Sequence, residues 1–447
     1  MDYGSSVNVA SGPPQDRLAR RLGLGDAVAI GLAAMVGAGV FAVWAPAAQA
    51  AGAGLLIGLA VAAFVAFANA GSTAQLAVQH PESGGAYRYG RERLGAWPGF
   101  LAGWSFVIGK TASCAAMALT AAAYLVPPEW QRPVAVAAVV VLVGVNLAGV
   151  TRTARVGAVL VTAVLVVLGI VVAAGVVSAT GGGTAFAAAA DEVVAPVAPG
   201  VTGTMYGILQ SAALLFFAFA GYARIATLGE EVRHPARTIP RAIGLAFLIV
   251  VVVYAAVGAA ALVSLGPRML ATSAAPLADV VTSVGWLWAE PVVRVAAGIA
   301  ALGSLLVLIA GIARTGLAMA RDGELPRPLA AVHPRSHVPH IAELAAGAAV
   351  IVLVLVADLR GAIGFSSFGV LLYYLVANLS AVTQPRAERR IPRWLSIAGA
   401  VGCLVLVVTL PLPSIVAGTI VLAVGALYRL LMRALRPHRA APEDPSA

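Results

Sequence analysis

The stretch that decides the fold is VGAVLVTAVLVVLGIVVAAGVVS, residues 156–178. It contains no acidic or basic residue and consists mainly of valine, leucine and alanine. A helical run of about 20 such residues crosses the ~30 Å hydrocarbon core of a bilayer. Because lipid offers no hydrogen-bond partners, the segment must pair its own amides and carbonyls, and a helix does so. The stretch therefore predicts a membrane-spanning helix.

Similar apolar runs recur along the whole chain. Hydrophobic residues make up 60% of the 447 residues and charged residues only 11%, whereas soluble domains carry roughly 25% charged residues. The runs lack the alternation of a membrane β-barrel. We therefore predict an all-α membrane protein with twelve transmembrane helices, at residues 26–50, 54–79, 98–125, 134–150, 156–178, 204–229, 242–265, 291–320, 341–358, 361–383, 394–411 and 413–433.

The arginines are distributed unequally between the two sides of the predicted membrane. Segments such as 88–93, 233–241 and 386–393 are rich in arginine, whereas the opposite side has only Arg132, Arg268, Arg294 and Arg360. Such an excess marks cytoplasmic loops, so both termini are predicted to be cytoplasmic. The net charge of +10 then reflects membrane orientation and not nucleic-acid binding. The first 25 residues lack an apolar core, so we expect no cleaved signal peptide.

Two predicted spans contain an internal interruption. In the first, Gly37 and Gly39 weaken the helix by about 1 kcal/mol each relative to alanine. In the sixth, the interruption is 216–222, and a charged turn at 230–241 follows that span. Interruptions five spans apart are expected if two five-helix halves repeat with inverted topology, since their broken helices then meet near the bilayer midplane and bind substrate there.

Four motifs carry a resemblance to a known family: 31–41 in the first span, 81–87 after the second, 230–243 after the sixth and 314–326 at the end of the eighth. Together they resemble the amino acid–polyamine–organocation transporters, which include bacterial amino acid permeases. The resemblance extends from about residue 22 to 390. It implies a leucine-transporter-like fold, a five-plus-five inverted repeat with discontinuous helices 1 and 6 and two further helices.

This organisation divides the chain into six parts. They are a cytoplasmic tail (1–25), a first repeat of helices 1–5 (26–178), an extracellular loop (179–203), a second repeat of helices 6–10 (204–383), helices 11 and 12 (384–433) and a second cytoplasmic tail (434–447).

An amino acid that leaves water needs partners for its carboxylate and its ammonium group. A helix broken inside the membrane exposes N–H groups, which favour anions, at one new end and C=O groups at the other. We expect the amides at 37–39 to bind the carboxylate and the carbonyls of the two breaks to bind the ammonium, and the resemblance implies the same assignment. The predicted substrate-binding residues are Met35, Gly37, Ala38, Gly39, Phe217, Ala218, Ala220 and Gly221.

Lys110 lies midway along the third predicted span and is the only lysine of the chain. Charged residues at that depth are costly and are candidates for function. Arginine keeps its proton, whereas a buried lysine can release one. Many members of the family have a lysine on span five in place of sodium, but the aligned residue here is Val164. We therefore hypothesise that Lys110 carries a proton or replaces sodium; a lysine that snorkels or pairs with a carboxylate is the alternative.

Gating and sodium coupling depend on other residues. Phe217 or Phe219 would close over the site, with simple packing as the alternative. Arg224 or Arg314 would pair with Glu230 or Glu231 and close an inner gate. The residues considered for the outer path are Tyr373, Tyr374, Ser366 and Ser367, with hydrogen bonds to neighbouring helices as the alternative. Ser304 is a coupling candidate on span eight, but without an adjacent second hydroxyl it disfavours a sodium site.

The sequence thus favours a secondary active transporter in the bacterial plasma membrane, proton-coupled or exchanging, and not an enzyme. Gly109 aligns where members for cationic substrates often carry a glutamate, and the spans show no obvious free carboxylate. A neutral amino acid is therefore the preferred substrate. An acidic amino acid, a polyamine or organocation exchanger, and a channel remain alternatives. No metal, cofactor, nucleic acid or obligate partner chain is predicted.

Overall fold

The computed structural model describes residues 22–79, 84–149, 154–180, 203–226 and 232–435. In these residues nine helices are long and apolar enough to cross a membrane, and three shorter apolar helices accompany them. Their outward faces are apolar, as expected next to lipid: Val159 and Val166 expose 69% and 61% of their surface. This part of the chain is helical, and its one isolated β-bridge joins Leu22 to Val232.

Seventeen α-helices account for the described architecture. They are α1 (Leu24–Met35), α2 (Gly39–Ala42), α3 (Trp44–Ala51), α4 (Leu55–Gln79), α5 (Ala86–Arg93), α6 (Ala96–Leu125), α7 (Pro128–Leu147), α8 (Ala154–Thr180), α9 (Gly203–Phe219), α10 (Ala223–Ala226), α11 (Pro235–Thr272), α12 (Pro276–Ser283), α13 (Ala289–Arg321), α14 (His340–Val356), α15 (Leu359–Val382), α16 (Arg393–Thr409) and α17 (Leu412–Ala434). Each predicted span overlaps at least one apolar helix.

The two predicted interruptions are confirmed. In the first span α1 ends at Met35, Val36 leaves helical geometry with ψ at 51°, and α2 begins at Gly39. In the sixth span α9 ends at Phe219 and α10 begins at Ala223. Glycine weakens helix propagation in both segments.

Glycine also brings the two breaks together. A Cβ on Gly39 would lie 2.7 Å from the Cα of Ala218, and a Cβ on Gly221 would overlap the Ala34 carbonyl. Since real Cβ atoms do not approach backbone so closely, only glycine allows this contact. The first and sixth spans therefore cross at their non-helical segments.

Helices α6 and α15 are packed closely beside this crossing. Gly109 of α6 faces Gly369 of α15, where a Cβ on Gly369 would lie 2.7 Å from the Cα of Gly109. Small residues let membrane helices approach in this way. On the other side of the crossing, α11 runs past the broken spans and bends at Gly266, whose φ is 67°. The bend lies where the predicted seventh span ended, at residue 265.

Two features differ from the prediction or lie beyond the described residues. Helices α5 and α12 do not span the membrane, and the sequence did not predict them. The predicted tails and the loop 179–203 fall outside the described residues except at their edges.

Just before α11, the N–H of Arg233 donates to the Leu22 carbonyl at 2.9 Å. This bond links the segment before the first span to the segment before α11.

Candidate functional site

Free peptide N–H groups lie at the break in the first span. The amides of Gly37, Ala38 and Gly39 donate to no acceptor among the described residues. Residues 39–51 continue in near-helical geometry, because Val43 between α2 and α3 has φ −84° and ψ −20°. Unpaired amides of this kind bind anions. The three residues predicted to bind a carboxylate therefore present the donors that it needs.

The carbonyls at the two breaks are bridged by one tyrosine. The hydroxyl of Tyr254, on α11, lies 2.6 Å from the Met35 oxygen and 3.1 Å from the Ala218 oxygen. Its ring packs against Phe219 at 5.2 Å and Trp44 at 6.5 Å between centroids. Tyr254 thus connects the two broken spans to α11. The sequence reasoning missed this residue, because a lone tyrosine in an apolar run looks like an ordinary packing residue.

Lys110 reaches the break in the sixth span. Its Nζ donates to the Ala220 carbonyl oxygen at 3.3 Å, and the hydroxyl of Tyr374 donates to the same oxygen at 3.3 Å. Among the described residues, no carboxylate forms an ion pair with Lys110. The predicted coupling residue and a predicted substrate-binding carbonyl are therefore in direct contact.

The other predicted residues surround the same crossing. Ser304 of α13 lies against Gly37, where a Cβ would overlap its hydroxyl, and it donates to the Ala300 carbonyl at 2.9 Å. Phe217 and Phe219 are both buried. Phe219 packs on α11, so its described contacts are those of a packing residue, and its role as a gate stays a prediction.

The inner-gate prediction lies partly outside the described residues. Arg224 is on α10, but Glu230 and Glu231 are not described, so their pairing stays a prediction. Arg314 instead interacts electrostatically with Glu343, in the first turn of α14. Glu343 is 2% exposed, but it lies in the first turn of α14 and interacts with Arg314, so it is not a free carboxylate in a span interior. Its Oε2 has no hydrogen-bond partner in the described part of the chain.

Three of the four hydroxyls considered for the outer path bond to neighbouring segments, and the hydroxyl of Ser367 has no partner among the described residues. Ser366 contacts Ser113 of α6 with 2.6 Å between the two oxygens. The hydroxyl of Tyr373 accepts the Ala86 N–H at 2.9 Å, at the start of α5. These contacts fit the alternative in which the hydroxyls join helices. The bond to Ala86 also places Tyr373 at the arginine-rich end of the molecule, and not at the opposite end, where the outer path was expected.

A second polar cluster lies at that arginine-rich end. Glu324, just after α13, accepts hydrogen bonds from Arg91 at 2.9 Å and from Arg429 at 2.6 Å. The Tyr87 hydroxyl donates to Asp322. Burial, together with this bond to Asp322, raises the pKa of Tyr87, so its hydroxyl stays a donor. The cluster connects α5, α13 and α17 and lies away from the crossing of the broken spans.

Comparison with known proteins gives consistent results. A family model described as amino acid permease matches residues 22–431. An uncharacterized transporter of Mycobacterium tuberculosis is 58% identical over 410 residues, covering 92% of this chain and 90% of that protein. The branched-chain amino acid permease BcaP of Bacillus subtilis is 26% identical, covering 95% of both chains. Cationic amino acid transporter 7 of Arabidopsis thaliana is 29% identical, covering 84% of this chain and 67% of that protein.

These relatives are transporters and permeases, and the match covers nearly all the described residues. The protein is therefore a multi-pass membrane transporter and not an enzyme, and its family supports an amino acid as the small-molecule cargo. The broken spans, their free peptide groups and the family match lead to one conclusion: the chain belongs to the amino acid permease family of the amino acid–polyamine–organocation superfamily.

Proposed function

We propose that the protein carries neutral amino acids across a bacterial plasma membrane by alternating access. In this proposal twelve spans form a five-plus-five inverted repeat at 26–178 and 204–383, followed by the two helices in 384–433. The unequal distribution of arginines between the two sides supports a cytoplasmic location of both termini in this proposal. The observation that supports the proposal best is the crossing of two broken spans at Gly39 and Gly221.

The proposed binding mode uses the free peptide groups of that crossing. The amides of Gly37, Ala38 and Gly39 bind the substrate carboxylate, because they lack acceptors among the described residues. The ammonium binds the carbonyl of Met35 and the carbonyls of residues 217 and 218. A carbonyl oxygen has two lone pairs, so the Met35 and Ala218 oxygens can accept a second donor beside Tyr254. The Ala220 oxygen already accepts two.

Lys110 is the proposed coupling group. Its Nζ contacts the Ala220 oxygen, so its charge state affects the same peptide that borders the substrate. Lysine can lose its proton where arginine cannot, which suits a proton carrier; as a fixed cation it would instead replace sodium. The hydroxyl of Ser304 beside Gly37 is the second coupling candidate.

The charges near the crossing support a neutral substrate class. The ammonium of Lys110 disfavours a second cationic group on the substrate. A side chain at Gly109, where related transporters for cations often have glutamate, would lie 3.0 Å from the backbone nitrogen of Val370, so α15 leaves no room for a carboxylate there. One relative is named for branched-chain substrates and another for cationic ones. An acidic substrate or organocation exchange is the second candidate, since Lys110 would attract an acid.

The test is counterflow in liposomes that contain the purified protein and are preloaded with leucine, glutamate or arginine. We expect exchange of leucine and little of arginine. Gly39→Ala should abolish exchange, because its Cβ would meet Ala218. Gly144→Ala is the matched control, since a Cβ there meets nothing within 4 Å. If the wild-type protein exchanges none of the three amino acids, the proposed substrate class is refuted. If Gly39→Ala exchanges as fast as the wild type, the proposed site is refuted.

A further inference from the structure

A line of buried polar side chains extends from the substrate site towards the arginine-rich end, between α4, α15 and α16. We name it the polar column; its members are Asn69, Ser72, Gln75, Gln79, Tyr374, Asn378, Gln384, Ser396 and Cys403. All except Gln79 expose 2% or less of their surface. Polar side chains at this depth in a membrane bundle are costly and are therefore candidates for function.

The upper end of the column begins at the substrate site. Tyr374 donates to the Ala220 oxygen that also accepts from Lys110. Asn378 follows Tyr374 by four residues on α15, and residues at that spacing lie on the same helix face. Among the described residues, the titratable groups recorded near Lys110 are Tyr374 and the thiol of Cys114, which lies one turn further along α6.

The middle of the column joins three helices through side-chain contacts. Nδ2 of Asn378 donates to Oδ1 of Asn69 at 2.6 Å, and the Cys403 sulfur lies 3.5 Å from the same oxygen. One turn closer to the arginine-rich end, the hydroxyl of Ser72 donates to that of Ser396 at 2.9 Å. These contacts place polar side chains of α4, α15 and α16 against one another at two successive levels of the bundle.

The lower end reaches the charged surface. Nε2 of Gln384 donates to Oε1 of Gln79 at 2.5 Å, and Arg93 donates to the same Gln79 oxygen at 2.9 Å. Arg93 also pairs with Glu388 at 2.7 Å, and the Glu388 side chain is 43% exposed. The column is therefore bounded by an ion pair that water reaches.

Three amide groups of the column have an atom without a partner among the described residues. They are Nδ2 of Asn69, Oδ1 of Asn378 and Oε1 of Gln384. A buried polar atom without a hydrogen bond costs about 1–3 kcal/mol, and most such atoms are bonded to protein or to ordered water. Amide atoms that face one another along a polar path are suitable partners for water.

We propose that the polar column conducts water and protons between the arginine-rich face and Lys110, on a route separate from the substrate path. This inference rests on the proposed transport function. The Lys110 ammonium releases one proton to a water at the upper end, and waters and hydroxyls pass a proton to the solvent beside Glu388. The reverse transfer restores the ammonium. The competing interpretation is that the column only joins helices by hydrogen bonds.

The first test separates proton-driven uptake from exchange. Asn378→Leu removes both hydrogen-bonding atoms of the amide in the middle of the column. In liposomes we expect uptake driven by a pH gradient to fall about tenfold or more, while counterflow at equal pH changes less than about twofold. Loss of both activities, or retention of both, would contradict conduction by the column. Absence of counterflow in the wild type would instead contradict the proposed function.

A matched pair of glycine variants refines this test. A Cβ on Gly399 would lie 2.8 Å from Oδ1 of Asn378, whereas a Cβ on Gly402 would lie 2.6 Å from Cγ2 of Val65. Both substitutions to alanine add one methyl group to α16, but only the first displaces a column amide. We expect Gly399→Ala to lower gradient-driven uptake and Gly402→Ala to leave it unchanged. Equal effects of the two variants would favour a purely structural role.

A second measurement uses the two native cysteines and does not depend on a column variant folding. In Cys114→Ser protein, Cys403 is the only thiol. We expect the S–H group of Cys403 to exchange to S–D in D2O without unfolding, seen as a shift of its infrared stretching band, because only water has to reach it. If the S–H band persists until the protein is denatured, the column is not a water path.

Discussion

Lys110 brings an ammonium group to the Ala220 carbonyl, and in the proposed binding mode the substrate ammonium binds to the same broken span. We predict that Lys110→Arg removes the pH dependence of uptake while retaining a positive charge, because arginine does not release its proton under these conditions. Lys110→Met should remove the charge and leave the Ala220 oxygen with Tyr374 as its donor. Uptake is measured in liposomes over a range of pH. Unchanged pH dependence in Lys110→Arg would show that Lys110 is not the coupling group.

Tyr254 offers a second prediction for a single residue. Tyr254→Phe keeps the ring between Phe219 and Trp44 but removes the hydroxyl that the Met35 and Ala218 oxygens accept. We expect a loss of about 1–3 kcal/mol in stability without substrate, seen as a lower melting temperature. Substrate should restore part of it, because a bound ammonium supplies the missing donor and ligands stabilise by mass action.

The control for this variant is Tyr206→Phe, since Tyr206 is 39% exposed at the start of α9. It should leave the melting temperature unchanged with and without substrate. If Tyr254→Phe has the stability of the wild type, its hydroxyl does not hold the broken spans together.

Among the contacts that attach α17 to the rest of the protein, one is made by a buried arginine. Arg429 is 2% exposed, donates to Glu324 at 2.6 Å and stacks on Trp97 and Phe100 at 4.6 Å from each ring centroid. Arg429→Met should destabilise the protein by about 1–3 kcal/mol, because Glu324 then retains only Arg91. The effect should be less than additive with Glu324→Gln. Thermal unfolding in detergent measures both.

Arg433 provides the comparison, since it lies on the same helix and is exposed, and among the described residues its ring contact is the more distant Trp97 at 5.6 Å. Arg433→Met should change the melting temperature little. Equal effects of the two substitutions would indicate that α17 is not attached through the ion pair.

Helices with a strong apolar signal could be predicted from the sequence, and non-spanning helices could not. Residues 98–125 were predicted as a span and α6 is Ala96–Leu125; residues 361–383 were predicted and α15 is Leu359–Val382. Such boundaries follow from where charged residues begin. In contrast, α5 is short and rich in arginine and reads as a loop, because its helical state depends on packing that buries Tyr87 and Tyr89.

At the scale of the whole molecule, some residues of the candidate site could be predicted from the sequence and others could not. Gly37, Gly39 and Lys110 could be predicted, because two glycines close together and a lone lysine are unusual within an apolar span. The bridge by Tyr254 and the hydrogen-bond partner of Lys110 could not be predicted, because both depend on contacts between distant positions of the chain. Lys110 and Ala220 are 110 positions apart, and Met35 and Tyr254 are 219 positions apart. Only the three-dimensional packing of several helices creates those contacts.

The bond between Arg233 N–H and the Leu22 carbonyl has a mechanical consequence for this architecture. It joins the segment before the first span to the segment before α11, while the hydroxyl of Tyr254 joins α11 to the first span near the middle of both. Two fastenings along one pair of helices resist hinging between them. If the proposed alternating access opens the arginine-rich end, we therefore expect α1 and α11 to move together, with the hinge elsewhere in the bundle.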